Sequence, residues 1–318
     1  MKSIVVYFSQ TGNTEKVARS IQSGIQSVTG QCDIVRLKEA KVDDLAKYDL
    51  IGFGAPAFGL LEPGNVAVFL KGTSPLSGKN CFIFATHGGH PGNIFPSMAE
   101  KLERAGLKVI GSFNCDGAYC VPSRFSPWYT DNHPDEVDLK QASDFGIEIA
   151  TNNKRLSKGE KIPLPKFTWL TEGLYEVVGS AEHRRARRQV QLTLDKNKCI
   201  YPKCRLCVDN CPVDAIDLST EPAIFQGRGC INCNFCEHIC PSAAINYPEG
   251  FIPSLHQWFS DALHKYDYPK WYKKAEKELI ENRGTLYRRL GGEVDIDDPE
   301  KAAYKVHPER PRIKLPRR

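Results

Sequence analysis

Eight of the twelve cysteines in this 318-residue chain lie between Cys199 and Cys240. They form two runs. The second, Cys230-x2-Cys233-x2-Cys236-x3-Cys240-Pro241, has the spacing of an iron–sulfur binding run, including the trailing proline. Three cysteines at two-residue gaps wrap the chain around one face of a cubic cluster. The fourth, beyond the turn, points to the other cluster in proteins that hold two. The first run, "CIYPKCRLCVDNCP", has the same tail, Cys204-x2-Cys207-x3-Cys211-Pro212, but a wider first gap, Cys199-x4-Cys204. The likeness continues past the sulfurs, where "CPVDAIDL" parallels "CPSAAINY". Cys199 to Cys230 is 31 residues and Cys211 to Cys240 is 29, so the difference of two equals the extra residues after Cys199. The segment is an internal repeat with an insertion in one loop.

Eight thiolates could instead hold two tetrahedral zinc ions. Zinc ribbons separate their cysteine pairs by a long knuckle, however, and need neither a third close cysteine nor Cys-Pro. A disulfide scaffold fits an oxidising compartment, and nothing in this chain reads as a secretory leader or a membrane span. The apolar start Ile4–Phe8 is five residues, far short of the roughly 20 a spanning helix needs. The expectation is a soluble, cytoplasmic protein. Cys32, Cys81, Cys115 and Cys120 are scattered. A redox pair of Cys115 with Cys120 is conceivable, but structural thiols are the reading adopted.

A second chemistry sits near the N-terminus. "SQTGNT" (Ser9–Thr14) falls between an apolar run of strand length, "SIVVYF", and a helical pattern with Val17, Ile21, Ile25 and Val28 on one face. Hydroxyls, an amide and a glycine at a helix start suit an oxyanion. The loop lacks the lysine and length of a nucleoside-triphosphate loop, so a single phosphate fits better. "GFGAPA" (Gly52–Ala57) formally matches a dinucleotide fingerprint. That motif needs a helix opening at its second glycine, whereas here both glycines read as strand and Pro56 disfavours helix at Ala55.

The elements that position these groups follow from the apolar pattern. "CDIVRL", "DLIGFG", "NCFIFAT" and "LKVIGSF" read as buried strands ending near Leu37, Gly54, Thr86 and Phe113, and "DEVDLKQASDFGIEIATN" as a last helix. Five strands interleaved with helices imply a parallel sheet covered on both faces. The expected organisation is an α/β unit over 1–153, a linker over 154–189, a cysteine domain over 190–248 and an extension over 249–318. The stretch from Phe167 to Val190 reads as a short helix ending in the basic run "HRRARR" (His183–Arg188), taken as a solvated face. The extension has helical periodicity, with Trp258, Phe259, Tyr266, Tyr268, Trp271 and Tyr272, then a charged, proline-bearing end from Gly291. It is the candidate route to a homo-oligomer or a docking arm. No nucleic-acid partner is expected, because the aromatics do not interleave with the basic run.

The cysteine segment resembles the two-cluster bacterial ferredoxins. That resemblance implies an α+β domain with two [4Fe-4S] clusters, one on Cys199, Cys204, Cys207 and Cys240, the other on Cys230, Cys233, Cys236 and Cys211. Residues 1–153 resemble the flavodoxin family, which implies FMN at the switch point of a doubly wound sheet of order 2-1-3-4-5. Its phosphate loop is Ser9, Gln10, Thr11, Gly12, Asn13 and Thr14. Its ring loops are "APAFGLLEPGN", with Ala55, Pro56, Ala57, Phe58 and Gly59, and "THGGHPGN", with Thr86, His87, Gly88, Gly89 and Asn93. The whole resembles the flavodoxin–ferredoxin fusions of anaerobes.

The implied role is electron transfer between the clusters, FMN and a partner redox protein or enzyme complex. The alternative is an FMN-dependent reductase acting on a small acceptor, with the clusters as an internal wire and Tyr119 or Trp128 as a lid. No nucleophile or acid/base pair for substrate activation is evident. The net charge of +5 excludes cofactors; with eight thiolates, two doubly charged clusters and a flavin phosphate it falls to about −1. The two ring loops contain one acid, Glu62, and two histidines, His87 and His90. Few anionic groups near the ring predict a reduced flavin less destabilised than in an acid-lined site, and favour two-electron behaviour.

Overall fold

The computed structural model describes residues 1–88, 90–118, 130, 133–170 and 192–247. These fall into two compact units, the first ending at 170 and the second starting at 192. In the first unit, β1 (Ser3–Tyr7), α1 (Asn13–Thr29), β2 (Asp33–Arg36), α2 (Val42–Leu45), β3 (Leu50–Pro56), α3 (Gly64–Lys71), β4 (Asn80–His87), α4 (Ile94–Arg104), β5 (Lys108–Asp116) and α5 (Glu136–Ser157) alternate along the chain. All five strands are parallel, in the order β2-β1-β3-β4-β5. Successive strands therefore need crossovers, and the apolar faces of the helices supply them. Val17, Ile21 and Ile25 of α1 and Phe145 and Ile149 of α5 bury against Val5, Phe82, Phe84 and Ile110 on one face of the sheet.

The two glycines of "GFGAPA" have a packing role. A Cβ on Gly52 would run into the ring of Phe82, and one on Gly54 into the ring of Phe84. Both phenylalanines are on the neighbouring β4, in register with those glycines. The strand continues to Pro56 with no helix opening, so the dinucleotide alternative is set aside on the geometry it requires.

Two boundaries differ from the sequence reading. β5 runs to Asp116, three residues past Phe113, because its pairing with β4 continues through Cys115 and Asp116. α5 runs to Ser157, past the 153 boundary. Lys154 donates to the Val28 carbonyl at 2.6 Å, and the helix closes only at Gly159, φ 80°. There Gly159 N–H reaches Leu156 and Glu160 N–H reaches Arg155, the paired bonds of a glycine-terminated helix.

Residues 158–170 then return along the first unit as an irregular strap. Ile162 packs on the core, Phe167 stacks on Phe95 with ring centroids 6.4 Å apart, and Leu170 is held by Asn93. The short helix read from Phe167 onward does not begin within 167–170, and its remainder, with "HRRARR", lies outside the described residues.

The second unit is small. β6 (Thr193–Leu194) pairs antiparallel with β7 (Ile245–Asn246), so the two ends of the unit meet. Between them lie α6 (Leu206–Asp209) and α7 (Phe235–Ile239), one turn of helix in each cysteine run. The extension from 249 onward lies outside the described residues.

Candidate cofactor sites

The loop 9–14 joins the C-terminal end of β1 to α1. Gly12 takes the left-handed conformation, φ 94°, that turns the chain into the helix, and no side chain caps the helix start. Two flanking side chains are fixed. Thr14 and Thr86 share a hydroxyl hydrogen bond of 2.8 Å, and Asn13 donates to the Ala118 carbonyl at 3.2 Å. The loop 9–14 and the start of α1 are thus tied to the ends of β4 and β5. The Ser9 hydroxyl is buried with no hydrogen-bond partner among the described residues. A buried, unsatisfied hydroxyl costs about 1–3 kcal/mol. A phosphate oxygen would satisfy it, and the bare helix start beside it favours that charge. The residues present fit a phosphate-bearing cofactor. Gln10 and Thr11 are half-buried in the same loop.

Ala55 and Pro56 finish β3, and Ala57 N–H bonds the Thr86 carbonyl at 2.8 Å. Phe58 to Leu61 is a tight turn closed by Phe58 N–H to Leu61 O, 2.7 Å, with Gly59 and Leu60 both left-handed at φ 57° and 68°. Leu60 holds that conformation against the Gly92–Asn93 segment, whose Asn93 N–H bonds the Leu60 carbonyl at 2.8 Å. Just beyond, Glu62 is buried. Lys101 pairs with it at 2.7 Å and Ser97 donates to it at 3.1 Å, which ties this loop to α4.

Thr86 and His87 close β4. His87 is 4 % exposed, not a solvated loop residue, and its Nδ1 stands 3.6 Å from an Asp116 oxygen. Burial, with a smaller push from His90, drives the imidazole down to about 3. His90 is half-buried and accepts from Gly92 N–H at 2.8 Å. Gly88 is half-buried, and Gly89 lies outside the described residues. The carboxamide of Asn93, fully buried, is spent on both backbone groups of Leu170, at 2.7 and 2.9 Å. Sequence reading missed Asp116 and Lys101 at this edge, because they belong to a strand and a helix outside the quoted loops. Cys115 is a buried strand residue whose thiol donates to the Asp116 carbonyl, which fits the structural reading, while Cys120, Tyr119 and Trp128 lie outside the described residues.

The second unit gathers its eight cysteines, all half-buried. Burial pushes the Cys207 thiol up, with smaller pushes from the neighbouring Cys240, Cys199 and Cys204. Cys207, Cys211, Cys230, Cys233 and Cys236, from both runs, line one cavity, with Ile231 and Phe235 among its walls. Thiols of the two runs thus approach one another within this unit. The repeat is visible in the hydrogen bonds as well. Ala215 N–H points at Cys211 Sγ, 3.2 Å, and Ala244 N–H at Cys240 Sγ, 3.3 Å, each four residues after its cysteine. Backbone donors of this kind favour thiolate, the ligating form. These donor sets suit soft iron–sulfur centres.

One further group has ligand-like spacing. His133, Asp135 and Asp138 hold donor atoms within 4.8 Å of one another. Asp135 and Asp138 form the capping box of α5, and His133 bonds Asp138 at 2.6 Å, so these carboxylates already serve the helix start. No helix among the described residues is long and apolar enough to cross a membrane.

Residues 4–121 match the family model described as a flavodoxin domain. The flavodoxin of Megasphaera elsdenii is 34 % identical over 111 residues, covering 34 % of this chain and 81 % of that protein. The ferredoxin of Alicyclobacillus acidocaldarius is 44 % identical over 90 residues, covering 28 % of this chain and 88 % of that protein. A protein of Hydrogenibacillus schlegelii named "Ferredoxin 7Fe" is 40 % identical over 62 residues, covering 20 % of this chain and 76 % of its own.

Proposed function

The chain belongs to the flavodoxin family in its first unit and to the ferredoxin family in its second, and from that premise we propose that it relays electrons between FMN, two [4Fe-4S] clusters and a partner redox protein. Electron transfer by a flavo-iron–sulfur protein is the common ground of both families; the number and type of clusters and the partner are the finer part of the proposal. FMN supplies a centre that accepts one or two electrons, and the clusters supply one-electron centres.

The observation that carries the reading is the coincidence, in one chain, of an orphaned buried hydroxyl at a bare helix start and eight half-buried thiols gathered in one small unit. Ser9, Thr11, Gly12 and the first amides of α1 hold the phosphate. The loops 55–59 and 86–93 flank the ring. They act as one body, since Leu60 is bonded to Asn93 and Glu62 is latched to Lys101. Glu62 is charge-compensated by that lysine, which supports the expectation of two-electron behaviour. Cys199, Cys204, Cys207 and Cys240 hold one cluster, and Cys230, Cys233, Cys236 and Cys211 the other. The half-burial of all eight thiols excludes most water while leaving electron exchange at the surface feasible.

Anaerobic purification with iron, sulfide and flavin counted tests the reading. The expected result is one FMN and eight irons. Seven irons, as the name of the Hydrogenibacillus relative states for that protein, would revise the type of one cluster and leave the other. A colourless, zinc-loaded protein would sink the proposal. Ser9→Ala should leave the fold intact and weaken FMN binding about tenfold, the effect of losing one hydrogen bond to a charged group. Fluorescence titration of flavin into apoprotein checks it.

A further inference from the structure

We propose that the exposed loop between Cys199 and Cys207 is the docking surface for a redox partner, a small electron-carrier protein presenting an apolar face that bears a carboxylate. The proposal rests on the reading that the thiols beneath this loop hold an iron–sulfur cluster.

The internal repeat serves as its own control. Ile200 and Ile231 each follow the first cysteine of their run, and Leu206 and Phe235 each precede the third. Both copies thus place apolar side chains at corresponding positions. In the second run these are put to use: Phe235 is 7 % exposed, and Ile231 is half-buried in the cavity wall. In the first run Ile200 is 51 % and Leu206 38 % exposed. A single exposed aliphatic residue is ordinary. Here two stand exposed, each adjacent to a proposed cluster-ligand cysteine, where the sister copy buries one counterpart and half-buries the other. The insertion falls in this same loop and adds exposed Pro202 and Lys203 beside them.

Charge narrows the partner. Lys196, Lys198, Lys203 and Arg205 ring the loop. Three are matched: Lys196 with Glu221 at 3.0 Å, Lys198 with Asp195 at 3.7 Å and Arg205 with Asp209 at 3.2 Å. Lys203, exposed in the same loop as Ile200 and Leu206, makes no ion pair among the described residues. An apolar partner face with a carboxylate opposite Lys203 matches both features. A small patch suits the weak, transient interfaces of electron carriers. A cluster held by Cys199, Cys204, Cys207 and Cys240 would supply one electron to the partner's one-electron centre, losing the electron that the partner gains, with no bond or proton moved.

The test uses anaerobic holoprotein, reduced with dithionite and mixed in a stopped-flow cell with oxidised rubredoxin, a small acidic one-iron carrier that bleaches on reduction. A small quinone, which needs no protein docking, is the parallel acceptor. The variants are Lys203→Glu and the double change Ile200→Ser with Leu206→Ser. The expected result is rubredoxin reduction slowed about fivefold or more in each, with quinone reduction and cluster EPR signals unchanged. Lys203→Glu should also remove the decline in rate with added salt. Rubredoxin rates within about twofold of wild type in both variants would overturn the proposal. So would equal slowing with quinone, which places the defect at the cluster. Slowed flavin–cluster exchange with normal rubredoxin rates would assign the face to the chain's own first unit, and an altered oligomeric state with normal rates would assign it to a second copy; each overturns it. Wild-type protein lacking iron–sulfur signals would overturn the parent reading first, so the two failures are distinguishable.

Discussion

His87 is a base that the fold holds neutral. Burial at the end of β4 pushes its pKa from the usual value down to about 3. Between that value and about 6.5 the unfolded chain binds a proton that the folded chain does not, so stability is full above the upper value and declines as pH falls through the window. His87→Gln should therefore lose less stability than wild type between about pH 7 and pH 4.5, read by urea unfolding at each pH. An equal loss in the two proteins would mean that His87 takes up its proton in the folded state as readily as in the unfolded one. The burial of His87 was not legible in "THGGHPGN", where glycines and a proline read as an open loop. It depends on β5 continuing to Asp116, the residue paired with His87 in the sheet, and that pairing links residues far apart in sequence. The cysteines are the opposite case. Their spacing is a local property of the chain, so both runs, their repeat and the insertion after Cys199 are readable from the residues alone.

At the scale of elements, Gly52 and Gly54 show side chains of one strand dictating the composition of the next. The rings of Phe82 and Phe84 occupy the space that side chains on β3 would need. Gly54→Val should cost about 1–3 kcal/mol, as overpacking of a close-packed core does. Phe84→Leu in the same molecule should recover part of that loss, and a double-mutant cycle by chemical denaturation checks the coupling. Strict additivity would mean the ring is not what excludes the side chain. The order of strands and helices was legible because apolar runs and the helical spacing of α1 are strong periodic signals. The ends of β5 and α5 were not. The first is set by a neighbouring strand, the second by a contact from Lys154 to the end of α1 and by a glycine two residues beyond Ser157. The strap over 158–170 was legible only as a linker, since nothing in its charged, proline-bearing composition announces the stacking of Phe167 on Phe95.

At the scale of the molecule, the strap makes Asn93 a structural clamp as well as a loop residue. Asn93→Ala removes two buried hydrogen bonds and leaves the Leu170 backbone groups unsatisfied, which should cost about 1–3 kcal/mol. Limited proteolysis is the sharper readout: cleavage within 158–170 should accelerate severalfold in the variant while the sheet core remains intact. Unchanged cleavage would show that the Phe95–Phe167 stack alone secures the strap. Two families share this chain, and the fusion places two kinds of redox chemistry at high effective concentration for one another, provided the connection begins in the right place.

The path of the strap bears on that proviso. α5 ends beside Met1 and Asn80, at the pole of the sheet where strands begin, and the proposed flavin pocket is at the opposite pole. Had the unit ended at Ser157, its last residue would have stood at the pole where the strands begin. By doubling back to Asn93, the described chain of the first unit brings Leu170 to the pole where the strands finish, beside the loops proposed to flank the flavin, rather than to the far side where α5 ends.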